Sequence, residues 1–130
     1  MKKFILLLAA VLLLTACGQG ASTSMNVVFT EFMFTPAEHT IQAGQEITVN
    51  VRNEGAILHD YAIMKLGTEA GAEYDKEDEE NIYWRIQVDP GKSVTTTFTA
   101  PLEPGEYQVV CGIIGHYTAG MVGKLIVSAP

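Results

Sequence analysis

The chain has 130 residues, 48% of them hydrophobic and 18% charged, which suits one globular domain with a modest core and leaves no room for a second. It carries 8 basic and 15 acidic residues, a formal net charge of -7. This acidity excludes nucleic acid as a partner, because binding there depends on Lys and Arg neutralising phosphates.

The N-terminus resembles a bacterial lipoprotein signal. Lys2 and Lys3 precede an unbroken apolar run that leads into Leu14-Thr15-Ala16-Cys17. A membrane-spanning helix is one alternative, but the run is shorter than the roughly 20 residues that a bilayer crossing requires. Cleavage as an ordinary signal peptide is a second alternative. Leu14 fits the small-residue cleavage site of such peptides poorly. We predict a signal peptide over residues 1–16 and a lipidated Cys17.

Residues 17–24 are then predicted to be the lipid attachment point and a flexible Gly/Ser tether, and residues 25–130 the folded domain. Loss of Lys2 and Lys3 leaves 6 basic against 15 acidic residues and changes the formal charge from -7 to -9. Anionic lipid heads repel such a surface, so the anchor would hold the protein at the membrane. We expect an extracytoplasmic, membrane-tethered monomer, periplasmic or on the outer face.

From Met25 onward, short alternating runs separated by turn residues predict an all-β sandwich or barrel. In the clearest run, Ile47, Val49 and Val51 alternate with polar residues, as in a half-buried strand. About eight strands are predicted, over residues 25–34, 40–42, 46–52, 59–64, 82–88, 92–99, 106–111 and 121–128.

The acidic segment, residues 67–81, interrupts this regularity. It holds one base, Lys76, among seven acids: Glu69, Glu73, Asp75, Glu77, Asp78, Glu79 and Glu80. Such charge runs are usually solvated loops or marginal helices. The alternative is an electrostatic docking patch for a basic partner.

A soft ligand set follows the seventh predicted strand, where Cys111, His116 and Met121 are spaced C-x4-H-x4-M. Thiolate and thioether favour copper, and two His, one Cys and a weak axial Met make a blue-copper site. Because Cys17 is used for lipid attachment, Cys111 would be a lone exported thiol, whereas exported cysteines are usually bridged in pairs. A metal bond explains it; a buried inert cysteine would leave the spacing unexplained.

The second imidazole has to approach from another strand. His59, at the start of the predicted strand 59–64, is the natural candidate. His39 has no neighbouring ligand and is predicted to be a surface residue. The scattered methionines Met25, Met33 and Met64 are explained by core packing.

Val49, Val51, Asn53 and Gly55 before His59, together with the C-x4-H-x4-M loop and Val122-Gly123, resemble the cupredoxins, the small blue-copper electron carriers. The resemblance covers nearly all of residues 25–128, and its loop spacing is similar to the auracyanin, rusticyanin and sulfocyanin kinds. It implies a Greek-key β-sandwich with one type 1 copper ion, bound by His59, Cys111 and His116 with Met121 axial.

The resemblance also implies a function: shuttling single electrons between extracytoplasmic redox partners, among them a membrane electron-transfer complex, without enzymatic catalysis. His116 would be the exit for the electron. Apolar residues near the two histidines would form the docking surface, namely Ile57, Leu58, Ile113, Ile114 and Tyr117.

Several alternatives compete with the electron carrier. A copper carrier or storage protein would favour clustered Met or His, whereas the methionines of this chain are scattered. A multicopper enzyme would need His-x-His pairs, which the sequence lacks. A binuclear centre needs two cysteines in the loop, and a metal-free sandwich would leave the ligand spacing unexplained. Two features depart from the family pattern: Asp60 stands where many cupredoxins have Asn or Ser, and the acidic segment has no counterpart.

Overall fold

The computed structural model describes residues 21–130; the predicted signal peptide and Cys17 lie outside this range. These residues form nine β-strands and one 3-10 turn, Asp78–Asn81. The strands are β1 Ser24–Thr30, β2 Met33–Thr35, β3 Glu38–Gln42, β4 Glu46–Asn53, β5 His59–Met64, β6 Ile82–Val88, β7 Ser93–Thr99, β8 Gly105–Val110 and β9 Val122–Ser128. No helix within residues 21–130 is long and apolar enough to cross a membrane.

The strands form two sheets that pack on each other. One has the order β2-β1-β4-β7 and the other the order β3-β9-β8-β5-β6. β1 runs parallel to β4 and β3 parallel to β9, while the other neighbouring strands are antiparallel. The predicted all-β sandwich is therefore confirmed.

The strand count exceeds the prediction of about eight by one. A turn at Glu31 and Phe32 divides the predicted strand over residues 25–34 into β1 and β2. At the N-terminal side, Ser22 forms an isolated bridge with Ile41, and Ser24 already belongs to β1. These last residues of the predicted tether are thus paired with the domain, and residues 17–20 lie outside the described range.

The core lies between the sheets and follows from the alternation of side chains along each strand. In β4 the predicted inward residues Ile47, Val49 and Val51 are buried, and in β9 Leu125 and Val127 are buried. Both sets belong to one continuous cluster. The sequence pattern therefore identifies the core face of β4 correctly.

β5 differs from its neighbours because all of its residues, His59–Met64, are buried. Its outward face contributes Ala62 and Met64 to a second small apolar cluster with Ala70 and Val110. Ala70 belongs to the acidic segment, so this segment covers the outer face of β5. The acidic segment is mostly exposed, as expected for a charge run, but it also covers apolar residues of the domain.

Strand direction brings the predicted ligands to one end of the five-stranded sheet. β8 is antiparallel to both β5 and β9. The end of β8 therefore lies beside the starts of β5 and β9. Cys111 follows β8, His59 begins β5 and Met121 precedes β9. The topology therefore places all three residues at the same end of the sheet.

Candidate metal centre

Three donor side chains converge at this end of the sandwich. The candidate ligand atoms of His59, Cys111 and His116 all lie within 4.8 Å of one another. The two histidine Nδ1 atoms are 3.1 Å apart, and the Cys111 Sγ lies 3.4 Å from the His116 Nδ1. All three side chains are buried, and even His116 is only 6% exposed. The structure thus brings the imidazole of His59 to the thiol of Cys111 and the imidazole of His116, which lie far from His59 in sequence.

The ligand loop, residues 111–121, is held by its own backbone. The Cys111 N–H donates to the Met121 carbonyl at 3.1 Å, and the Met121 N–H donates to the His116 carbonyl at 3.0 Å. Gly115 and Gly120 have positive φ angles of 82° and 98°, which side chains other than glycine rarely adopt. These turns fold the loop back so that Met121, fully buried, has backbone bonds to both Cys111 and His116.

The thiol of Cys111 is enclosed and accepts a hydrogen bond. The Asp60 N–H donates to the Cys111 Sγ at 3.4 Å. Burial raises the pKa of Cys111 to about 11, although this hydrogen bond acts in the opposite direction. Because the thiolate is the form that binds metal, a cation with strong affinity for sulfur would displace the thiol proton.

Asn53 fixes the approach to His59. Its buried amide donates to the carbonyls of Ile57 and Val88, both at 2.8 Å, and its Oδ1 accepts the Gly55 N–H at 2.9 Å. One side chain thereby fixes the turn that leads into β5. The sequence alone does not reveal this role of Asn53, because the role depends on a contact with Val88 of β6.

His59 is held as a neutral ring. Burial lowers its pKa below the ordinary value, and the neighbouring His116 lowers the pKa further. Its Nε2 is buried and makes no hydrogen bond to any residue in the described range 21–130. A neutral imidazole is the form that ligates metals.

The donor set fits one copper ion. Two imidazoles and one cysteine, with a buried methionine in the same loop, are the ligand types of a blue-copper site. Metal bonds of about 2.0 to 2.3 Å to nitrogen and sulfur are compatible with donor atoms separated as they are here. The His116 Nδ1 lies close to the His59 Nδ1 and the Cys111 Sγ, which are themselves candidate metal ligands. A cation bound by all three atoms accounts for this arrangement.

The surface above His116 is apolar. Ile114 is 96% exposed in the ligand loop, and the Phe32 ring lies edge-on to the His116 ring at 5.2 Å while remaining 43% exposed. Phe32 has a φ of 62°, which is rare for a bulky residue and characteristic of functional sites. No sequence signal marked Phe32, because its contact with His116 depends on how the β1–β2 turn folds over the loop.

A family model described as cupredoxin-like domain matches residues 3–127. The chain belongs to the cupredoxin family. The resemblance stated from the ligand spacing is confirmed, and the sandwich described above is the fold of this cupredoxin.

Known proteins similar to this cupredoxin include auracyanins and a copper-resistant cuproprotein. Auracyanin-A of Chloroflexus aurantiacus is 34% identical, over 75% of this chain and 68% of that protein. The copper-resistant cuproprotein CopI of Pseudomonas aeruginosa is 29% identical, over 82% of this chain and 77% of that protein. The crystal structure of dithionite-reduced auracyanin from Roseiflexus castenholzii gives a TM-score of 0.71 at 33% identity, covering 84% of this chain and 99% of that one.

Two other residues singled out in the sequence, His39 and Asp60, differ in their distance from the centre. His39 lies in β3, away from the donors as expected, but it is half-buried and its Nε2 is enclosed without a partner among residues 21–130. Asp60, the departure from the family pattern, is buried, and its side chain accepts the Gly112 N–H.

Proposed function

We propose that this cupredoxin is an electron carrier that shuttles single electrons between redox partners through one type 1 copper ion. In this proposal His59, Cys111 and His116 are the main ligands, and Met121 is the axial ligand. The observation that supports it most strongly is the convergence of two imidazoles and one thiol within 4.8 Å in a buried site. No catalytic residue is proposed.

Copper supplies the one-electron couple between Cu(I) and Cu(II). The protein contributes a fixed and water-excluding set of donors. Cys111 and Met121 are joined directly by a backbone hydrogen bond, and His59 is the first residue of a fully buried strand. Ligands fixed in this way move little when the ion changes charge, which keeps the reorganisation on electron transfer small.

His116 is the proposed exit for the electron. It is the one proposed ligand with measurable exposure, and Ile114 and Phe32 flank it at the surface. A small apolar surface suits brief encounters with a redox partner, since large interfaces release slowly. Phe32 is thus added to the docking surface predicted from the sequence.

A copper carrier or storage protein is the second candidate. A relative with the name copper-resistant cuproprotein supports it. The enclosed ligands oppose it, because an ion held by side chains that are almost completely buried exchanges slowly.

Cyclic voltammetry and copper exchange separate the two candidates. An electron carrier should show a reversible one-electron couple and should retain copper for hours against an excess of a Cu(I) chelator. A protein that surrenders its copper within seconds, with no reversible couple, would support the carrier or storage function instead.

The membrane location is a separate part of the proposal. A lipid on Cys17 would tether the domain on the extracytoplasmic side, where a monomer reaches its partners. Metabolic labelling with a radioactive fatty acid should mark the wild type and leave Cys17→Ala unlabelled. Equal labelling of the two proteins would refute the anchor without affecting the copper site.

A further inference from the structure

A buried carboxylate lies directly behind the ligand loop. Asp60 is only 1% exposed, and one of its oxygens accepts the N–H of Gly112, the residue after Cys111. Its other oxygen lies 3.1 Å from the Nε of Arg85, a salt-bridge distance at which the N–H is not aligned for a hydrogen bond. Within residues 21–130, Arg85 is the only base that forms a salt bridge with Asp60.

The register of the sheet explains this pairing. Asp60 lies opposite Gln87 and Ala62 lies opposite Arg85 in the β5–β6 ladder. Asp60 and Ala62 share one face of β5, so Arg85 is the diagonal neighbour of Asp60 on that face. The side chain of Arg85 is only 25% exposed, which limits screening of the pair by solvent.

The remaining guanidinium nitrogens of Arg85 hold the acidic segment. Nη1 and Nη2 donate to the two carboxylate oxygens of Glu79 at 2.8 and 3.0 Å, a bidentate pair. Nη2 also donates to the Tyr74 hydroxyl, which in turn donates to Glu79 at 2.9 Å. One cation therefore joins the buried Asp60 to a segment that carries seven acids.

The acidic segment contacts the ligand loop at residues before and after His116 in the sequence. On one side, a Cβ added to Gly112 would lie 2.8 Å from the Tyr74 ring and 2.9 Å from Arg85. On the other side, the Tyr117 hydroxyl donates to the carbonyl of Ala70 at 2.9 Å. The acidic segment thus packs against the ligand loop at two points, Gly112 and Tyr117.

We propose that Arg85 is a positioning residue of the metal site: it holds the Asp60 carboxylate against the ligand loop and fastens the acidic segment over that loop. Without this cation, Asp60 and Glu79 would both lack a basic partner in the same region, and the acidic segment would be repelled from the Asp60 carboxylate. Arg85 therefore compensates for a carboxylate at a position where the resemblance implies Asn or Ser in many cupredoxins. Its effect on the metal rests on the proposed copper site; its effect on the loop does not.

Hydrogen exchange on the metal-free protein tests the effect on the loop. Arg85→Gln should speed exchange of the Gly112 amide about tenfold or more, because the hydrogen bond from that amide to Asp60 weakens when the cation that holds the carboxylate is lost. Arg52→Gln is the matched control, because Arg52 also pairs with an acid, Glu54, but at the surface. The double variant Asp60→Asn/Arg85→Gln removes the unpaired carboxylate and should recover Gly112 protection, while the acidic segment stays loosened.

Copper-loaded protein provides the second measurement. Relative to wild type and Arg52→Gln, Arg85→Gln should shift the visible thiolate-to-copper band and the reduction potential, because groups around a ligand tune the metal. If Arg85→Gln does not fold, Arg85→Lys keeps a charge near Asp60 and loses the bidentate pair with Glu79. It should loosen the acidic segment while Gly112 stays protected.

Unchanged Gly112 exchange together with an unchanged band and potential in Arg85→Gln would overturn the positioning role. So would Arg85→Lys exchange that matches wild type throughout the acidic segment. Failure of the proposed copper function looks different: wild type itself would bind Cu(II) without a visible band, while exchange in the metal-free protein would still decide whether Arg85 holds the loop.

Discussion

The ligand loop and the acidic segment are the two long connections of the molecule, and they are stabilised in different ways. The ligand loop buries Cys111, His116 and Met121 and closes through its own backbone hydrogen bonds. The acidic segment buries only Ala70 and is attached largely through side chains of other elements, with Arg85 at the centre. A loop closed by its own backbone holds its donors ready for a metal, whereas a segment attached by side chains depends on those partners.

The contact between the two connections explains why neither is independent. Gly112 and Tyr117 of the ligand loop each meet the acidic segment, so the segment supports the loop from behind. Most of the acidic side chains of the segment are nevertheless exposed to solvent. One segment therefore combines a packed inner side with a solvated outer side.

The largest expected effect is the loss of copper colour on substitution in the ligand loop. Cys111→Ser should abolish the visible absorption of the Cu(II) protein, because the band requires a thiolate ligand. Ala70→Ser, a substitution to the same residue at the buried position of the acidic segment, should keep the band. Absorption spectra at equal copper loading measure both, and a coloured Cys111→Ser protein would show that the two connections do not differ in this respect.

Alanine at two glycines compares the packing of the connections. Gly112→Ala drives a methyl group into Tyr74 and Arg85, and overpacking of this kind costs about 1 to 3 kcal/mol. Gly71→Ala, in the acidic segment, meets nothing within 4 Å and should be neutral or slightly stabilising. Urea unfolding of the metal-free proteins gives both free energies. Equal stabilities would mean that the segment does not press on the ligand loop.

A smaller effect is expected at the exposed face of the ligand loop. Ile114→Ser should slow electron transfer with cytochrome c about fivefold, equivalent to roughly 1 kcal/mol of lost apolar contact, without changing charge or stability. Leu102→Ser is the control, since Leu102 is 84% exposed in the loop that precedes β8, at the opposite end of that strand from Cys111. Stopped-flow rates that fall equally in both variants would assign docking to a different surface.

The smallest effect lies outside both connections, in β3. Burial lowers the pKa of His39 below its ordinary value, so the unfolded chain takes up the proton more readily than the folded domain. The contribution of neutral, buried His39 to the free energy of unfolding is therefore fully present above about pH 6.5. It is lost as the pH falls below that value toward the pKa of the folded state. His39→Gln should make the loss of stability of the metal-free protein between pH 7 and pH 5 shallower. An unchanged slope would mean that β3 does not contribute to the acid response.

The sequence singles out His59, Cys111 and His116, which the structure brings together, because the chemistry of each residue type is local information. Cys111, His116 and Met121 identify the kind of metal through their spacing alone, and the strands follow from side-chain alternation over a few residues. β5 and β6 are predicted with the bounds that the structure has, since turn residues or an apolar-to-polar change mark their ends.

The supporting contacts could not be predicted in the same way. Arg85 meets Asp60 only because of the β5–β6 register, which single-sequence patterns do not fix. Phe32 reaches His116 through a left-handed turn that its bulky side chain disfavours. The covering of β5 by Ala70 likewise depends on how the acidic segment folds back.

A titration of the metal-free wild-type protein with Cu(II), followed by visible absorption and X-ray absorption spectroscopy, tests the proposed centre most directly. An intense thiolate-to-copper band should grow until one equivalent of copper is bound, with two nitrogen ligands and one sulfur ligand at short distances. A protein that binds Cu(II) without colour, or whose copper has only nitrogen and oxygen neighbours, would contradict a type 1 site built from His59, Cys111 and His116.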